Sequence, residues 1–162
     1  MPAHAFEIRP ATVADVHTVH EMIGLLAHYE RLSHLNVASE TDLAAALFGD
    51  RPAAEVLIAS KNGTSAAFAL FFHNFSTFLG RRGLWLEDLF VKPEFRRQGC
   101  AKALLRALAS LARERGCGRF EWAVLDWNAP AIDFYRSLGA TVLPDWRIVR
   151  VVGPALETMA NG

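Results

Sequence analysis

Apolar residues recur along this chain at two different periods, and the changes of period mark its elements. Val13, Val16, Val19, Met22, Ile23 and Leu26 fall three and four apart behind Thr12, which predicts an amphipathic helix. A short extended segment, Phe6–Arg9, precedes it, and HYERLSHLN interrupts it. Ser39 and Asp42 predict a capped second helix over Leu43–Phe48, ended by Gly49 with Pro52 beyond. Glu55–Ser60 and Ala66–His73 then read as strands around Asn62-Gly63, a hairpin signal, and Leu84–Val91 reads as a third. Ala101, Leu104, Leu105, Leu108, Leu111 and Ala112 form one stripe of a long helix, stopped at Gly116–Gly118. A strand over Phe120–Leu125, a helix over Ala129–Leu138 and two final strands, Thr141–Leu143 and Arg147–Val152, complete the pattern.

The predicted order is β-α-α-β-β-β-α-β-α-β-β, an α/β (α+β mixed) chain. Hairpin-linked strands come first and a β-α-β unit follows, so the sheet is mixed. The 162 residues suit one domain with a core from about residue 5 to 153. A composition 52% hydrophobic and 21% charged argues against disorder, and a formal net charge of zero gives no electrostatic case for nucleic acid or an anionic membrane. Cys100 and Cys117 make no disulfide framework, MPAHAFEIRP carries no secretory pattern, and the longest apolar run, Ala66–Phe72, is too short to span a bilayer. The expectation is a cytoplasmic protein with no metal, nucleic-acid or membrane partner.

Within this pattern, LWLEDLFVKP (residues 84–93) is anomalous. Glu87 and Asp88 occupy a strand that otherwise reads as buried. A regular pleat sends them to opposite faces, which gives Asp88 a structural partner on the side away from Glu87; a bulge would bring both to one side. Immediately beyond, FRRQGCAKALL carries Arg96-x-x-Gly99-x-Ala101 where a strand hands over to a long helix. Free N–H groups at a helix N-terminus, a glycine that permits close approach, and the charges of Arg96, Arg97 and Lys102 read as an anion site, the alternative being a surface turn with solvated basic residues. The pattern is neither a P-loop nor a dinucleotide fingerprint. VLDWNAPAIDFYRSLGA repeats the strand-to-helix junction, with Asn128 near the N-cap and Pro130 in the first turn. By spacing alone Tyr135 is a core aromatic.

The two stretches LEDLFVKPEFRRQGCAKALL and WAVLDWNAPAIDFYRSLGA together resemble the GNAT N-acetyltransferase superfamily, and within it the diamine (spermidine/spermine) and thialysine N-acetyltransferase branch. The likeness runs from IRPAT (Ile8–Thr12) through HYERL (His28–Leu32) and LFGDRP (Leu47–Pro52) to Trp146. It implies one GNAT domain over residues 1–162, with about six to seven strands flanked by about four helices. It implies acetyl-CoA as co-substrate, a small primary amine as acceptor, direct attack in a ternary complex, and a homodimer. By matching positions, Leu89, Phe90 and Val91 pair with the pantetheine arm, and Arg96, Arg97, Gln98, Gly99, Cys100, Ala101 and Lys102 cradle the pyrophosphate. Asn128, Ala129, Pro130 and Ala131 make a further CoA contact. Tyr135 becomes the general acid and Glu87 the carboxylate that helps deprotonate the amine. Tyr29, Glu30, Ser76, Asp88, Glu121, Trp122, Ala123 and Asp145 join Glu87 as candidate substrate residues.

The chemistry is consistent with those roles. An alkylamine is largely protonated at neutral pH, with a pKa of about 10, and must lose a proton before attacking a thioester. No acyl-enzyme is needed, so Cys100 is not assigned as a nucleophile. The match departs in HNFSTFLGRRG, where Ser76 stands at an acid position and Phe78 at a tryptophan position of polyamine enzymes. Ser76-Thr77 resembles the thialysine type, and Arg81 and Arg82 add positive charge. A lysine-like amino acid suits such a rim better than a long polycation. Two other readings are a non-catalytic acyl-CoA-binding module and an acetyltransferase for a protein amine.

Overall fold

The computed structural model describes residues 5–162; residues 1–4, part of the segment read above for a leader, lie outside the described residues. Contacts group the chain into two compact units, residues 1–123 and 124–162.

The first unit is a five-stranded sheet in the order β1-β2-β3-β4-β5: β1 (Glu7–Pro10), β2 (Glu55–Lys61), β3 (Thr64–Ser76), β4 (Arg81–Val91) and β5 (Phe120–Trp122). The first four pair antiparallel and β5 joins β4 in parallel, so the sheet is mixed as its pattern predicts. Asn62 (φ 52°) and Gly63 (φ 76°) both take left-handed conformations in the two-residue β2–β3 turn, which is why that dipeptide stands there.

Helices cover both faces. Thr12 caps a short 3₁₀ turn, Val13–Asp15, that leads into α1 (Val16–Tyr29), and Ser39 and Asp42 form a capping box at the head of α2 (Glu40–Phe48). Val19, Met22 and Leu26 of α1 and Leu47 of α2 pack with Val56, Ile58, Phe68 and Phe90. The opposite face is covered by α3 (Cys100–Glu114), whose stripe Leu104, Leu105, Leu108 and Ala112 is buried. Arg115, just beyond α3, holds Glu55 at the start of β2 through two bonds of 2.6 and 2.9 Å and lies over the Phe71 ring. A two-pronged guanidinium–carboxylate contact fixes orientation as well as distance.

The second unit contains α4 (Ala129–Ser137) and α5 (Pro154–Asn161). The strands expected at Thr141–Leu143 and Arg147–Val152 do not form, and the strand expected over Phe120–Leu125 ends at Trp122. The run Ile148–Val152 has β-branched residues but pairs with no strand among the described residues, and strand propensity without a ladder makes no strand. Leu143, Trp146, Ile148, Val149 and Val152 are exposed. The helix Pro154–Asn161 has no counterpart in the sequence reading.

Phe68 is wholly buried between α1 and the sheet. Phe68→Ala is expected to lower unfolding free energy by about 3–5 kcal/mol, through lost burial plus the cavity left behind. Urea unfolding should show this as a lower midpoint at unchanged slope.

Candidate active site

The two carboxylates of β4 are governed by a register shift. Phe71 of β3 pairs with Leu86 and Leu70 pairs with Asp88, so Glu87 is an extra residue on β4. Directly paired residues share a face and successive residues alternate. Leu84 and Leu86 therefore lie with Phe71, toward α3. Beyond the bulge Asp88 and Phe90 lie with Leu70 and Phe68, toward α1. Trp85 pairs with Phe72 on this second face, and its indole N–H donates to Glu87 Oε2 at 2.8 Å. The regular-pleat expectation for Asp88 is thus overturned: the bulge turns both acids toward the end of α1, where Glu30 follows Tyr29.

The electrostatics agree. Burial pushes the Asp88 carboxyl up to about 6, and the charges of Glu87 and then Glu30 add to the shift. Burial also raises Glu30. Asp88 therefore stands within electrostatic reach of both Glu87 and Glu30. Tyr29, the last residue of α1, is 43% exposed.

Other expected substrate residues divide. Glu121 pairs with Trp85 across the parallel β4–β5 ladder and shares its face, with Arg119 Nε 2.6 Å from its carboxylate in an ion pair. Trp122 lies on the opposite face against the ring of Phe120, and Ala123 is exposed beyond the strand. Ser76 is buried, and its hydroxyl accepts the N–H of Leu79 at 3.2 Å, closing the β3–β4 turn. Phe78 is fully exposed at that turn. Arg82 falls on the α3 face, beside His73. Arg81 falls on the carboxylate face but six positions before Glu87, about 20 Å along the strand. The two arginines therefore make no carboxylate clamp beside Glu87. His73 belongs to the Glu55–Arg115 contact, with Nε2 3.4 Å from an Arg115 nitrogen, while Asn74 faces the other way over Gly83. A side chain at Gly83 would overlap Asn74 Oδ1, so this position accepts only glycine without rearrangement.

The loop after β4 is shaped as an anion cradle. Lys92 leads to a 3₁₀ turn, Pro93–Phe95, then Arg97 (φ 59°) and Gly99 (φ 85°) both turn left-handed. No side chain caps α3, and the N–H groups of Cys100, Ala101 and Lys102 precede the first intrahelical bond, Ala103 N–H to Gly99 carbonyl at 2.9 Å. These donors point along the axis at the positive end of the helix dipole. Nothing lies within 4 Å of the position a Gly99 Cβ would take, so a ligand can approach the backbone there. The Cys100 side chain is buried and its thiol is pushed up to about 11. That agrees with a packing role. Pairing of β4 with β5 covers only Leu84–Leu86, so Glu87–Val91, including Leu89, Phe90 and Val91, have no sheet partner on that side among the described residues. An open strand edge beside a helix N-terminus fits a molecule with amide groups at one end and phosphates at the other.

In the second unit, Asn128 Oδ1 accepts the N–H of Ala131 at 3.4 Å, capping α4, with Ala129 and Pro130 in its first turn. Tyr135 lies in the last turns of α4, its ring 5.6 Å from that of Phe134. Asp145 is exposed. Among the described residues no group of three or more His, Cys, Asp and Glu could hold a metal ion.

The acetyltransferase (GNAT) family pattern matches residues 23–140, which contain the bulged strand, the cradle and α4. The chain belongs to the GNAT acetyltransferase family. As a GNAT protein it is an acetyl-CoA-dependent N-acetyltransferase. It is 35% identical over 197 residues to L-ornithine N5-acetyltransferase of Arabidopsis thaliana, covering 94% of this chain and 86% of that one. It is 36% identical over 165 residues to thialysine N-epsilon-acetyltransferase of Sus scrofa, covering 95% and 96%. Among solved structures, an integron cassette protein from V. cholerae superposes with a TM-score of 0.81 at 25% identity, covering 99% of this chain and 100% of that one.

Two members of the site escaped the sequence reading. Trp85 carried a usable signal, its i, i+2 spacing from Glu87. Lys61 carried none: its Nζ donates to Gln98 Oε1 at 2.7 Å across 37 residues, and only the β2–β3 turn brings it to the cradle.

The raised Asp88 value has a measurable sign. Its ordinary value is 3.8 and its folded value is about 6, so the fold favours the protonated form. Its contribution is present at low pH and is lost as pH rises from below 3.8 through 6, a loss of roughly 2–3 kcal/mol. Asp88→Asn is expected to be more stable than the parent above pH 6, the gap closing below about pH 4. Chemical denaturation at both pH values checks this.

Proposed function

We propose that this GNAT enzyme transfers the acetyl group of acetyl-CoA to a primary amine of a small, diamine-like molecule, a lysine- or ornithine-like amino acid or a short diamine. The observation that carries this reading is the bulge at Glu87. It gathers Glu87, Asp88 and Glu30 where a protonated amine is attracted and can then be deprotonated. The names of the relatives, which act on ornithine and thialysine, support the amino-acid side of the class. The use of Ser76 to close a turn, where polyamine enzymes carry an acid, supports a shorter acceptor.

In this reading both substrates bind together. Backbone donors of Cys100, Ala101 and Lys102 hold the pyrophosphate, and the open edge of Leu89–Val91 holds the amide arm. The ammonium meets Glu87 and Asp88. A carboxylate with a pKa of about 6 is well matched to proton acceptance near neutrality. The freed amine nitrogen attacks the thioester carbonyl; the C–N bond forms and the C–S bond breaks. The ammonium gives its first proton to the carboxylates before attack; the departing thiolate takes a proton from the Tyr135 phenol, and the nitrogen's second proton, lost as the amide forms, restores that phenol. Asn128 through Ala131 complete the CoA contact. The enzyme works as a homodimer, which would cover the exposed apolar positions Trp146, Ile148, Val149 and Val152. It works in the cytoplasm, where its two free cysteines stay reduced.

An acetylation screen of L-ornithine, thialysine, lysine, putrescine and spermidine, read by release of CoA thiol, tests the substrate class. Ornithine or thialysine is expected to give the highest kcat/KM, and a preference for spermidine overturns the short-acceptor reading. Parental kcat/KM is expected to rise with pH through an inflection near 6, which Asp88→Asn removes. Tyr135→Phe is expected to lower kcat about 10²-fold with little change in the KM for acetyl-CoA. Unchanged turnover across the pH range removes the acid role.

A further inference from the structure

Arg96 opens the cradle, yet its side chain turns back from it. Nε donates to the Val91 carbonyl at 3.0 Å. The guanidinium lies 5.3 Å from the centre of the Tyr29 ring and 5.6 Å from that of Phe90. Phe90 is buried in the α1 core, whereas Tyr29 is the partly exposed last residue of α1 and is followed by Glu30. Arg31, next again, takes a left-handed conformation (φ 62°), so α1 ends abruptly. One cation therefore bridges the acyl-CoA loop, the open strand edge and the end of the helix bearing the amine-binding residues.

We propose that Arg96 is a positioning residue that couples the two substrate sites, transmitting occupancy of the acyl-CoA cradle to the amine through the Tyr29 ring. This rests on the reading above that Tyr29 and Glu30 meet the amine. The argument is geometric. The loop of left-handed Arg97 and Gly99 begins at Arg96, so a phosphate drawn onto the cradle fixes the Arg96 backbone. The Nε bond and the two ring contacts then leave the guanidinium little freedom. The ring that it steadies belongs to α1. Coupling of binding sites is reciprocal, so an amine that orders Tyr29 must tighten the cradle by the same factor. Lysine at this position would keep the charge but lose the planar stacking surface and the Nε donor.

Titration calorimetry with CoA alone and then with CoA plus thialysine tests this in the full chain. Tyr29→Leu is expected to weaken CoA binding about 2- to 5-fold, the size of an exposed cation–ring contact, although Tyr29 lies outside the cradle. Tyr29→Phe, which keeps the ring, should bind CoA like the parent. Arg96→Lys should abolish the enhancement of thialysine affinity by CoA. The double variant Arg96→Lys with Tyr29→Leu should bind CoA no more weakly than the weaker single variant. Coupling is a ratio of affinities on the same folded fraction, so partial unfolding cancels. Parental CoA affinity in Tyr29→Leu, or additive losses in the double variant, overturn the inference. If the parent does not acetylate thialysine, the functional reading fails instead, and the CoA-only arm still decides the Arg96–Tyr29 coupling.

Discussion

The grouping of acids in the first unit depends on one extra residue in β4. A strand with strict alternation cannot bury Leu84, Leu86 and Phe90 correctly and also present adjacent acids on one face. The bulge resolves this conflict. Before it, Leu84 and Leu86 serve the α3 side; after it, Asp88 and Phe90 serve the α1 side. The cost is three mutually repelling carboxylates, one of them largely buried, and the raised Asp88 value is the form that cost takes. The bulge also lies beside the point where β4 parts from β5, so the grouped acids and the open strand edge have a common origin in the strand's geometry.

The fold of this unit was largely legible in the sequence because its signals are local. The Asn62-Gly63 turn, the Ser39/Asp42 capping box and the stripe of α3 each follow from a few adjacent residues, and each stands where its pattern puts it. The side on which Asp88 lies was not legible. A bulge is a property of pairing, and the identity of the β3 partner is not written in β4. The same reason explains Lys61, which reaches Gln98 only after three strands have been laid in order.

The final third shows the converse error. The alternation around Ile148–Val152 has the composition of a strand, yet a strand also requires a ladder, and this run pairs with no other strand among the described residues. Ser76, placed among the substrate residues by matching position, also has a local duty that its position alone does not reveal: its hydroxyl accepts the Leu79 N–H in the turn that carries Phe78.

The two cysteines have consequences for handling the molecule. Cys100 is enclosed beneath the first turn of α3, with its thiol pushed up to about 11. Cys117, in the loop between α3 and β5, is partly exposed. Thiolate supply and access both set the rate of alkylation. A maleimide or a fluorescent tag will therefore partition onto Cys117, giving the native chain a single labelling handle with no need to mutate the other thiol.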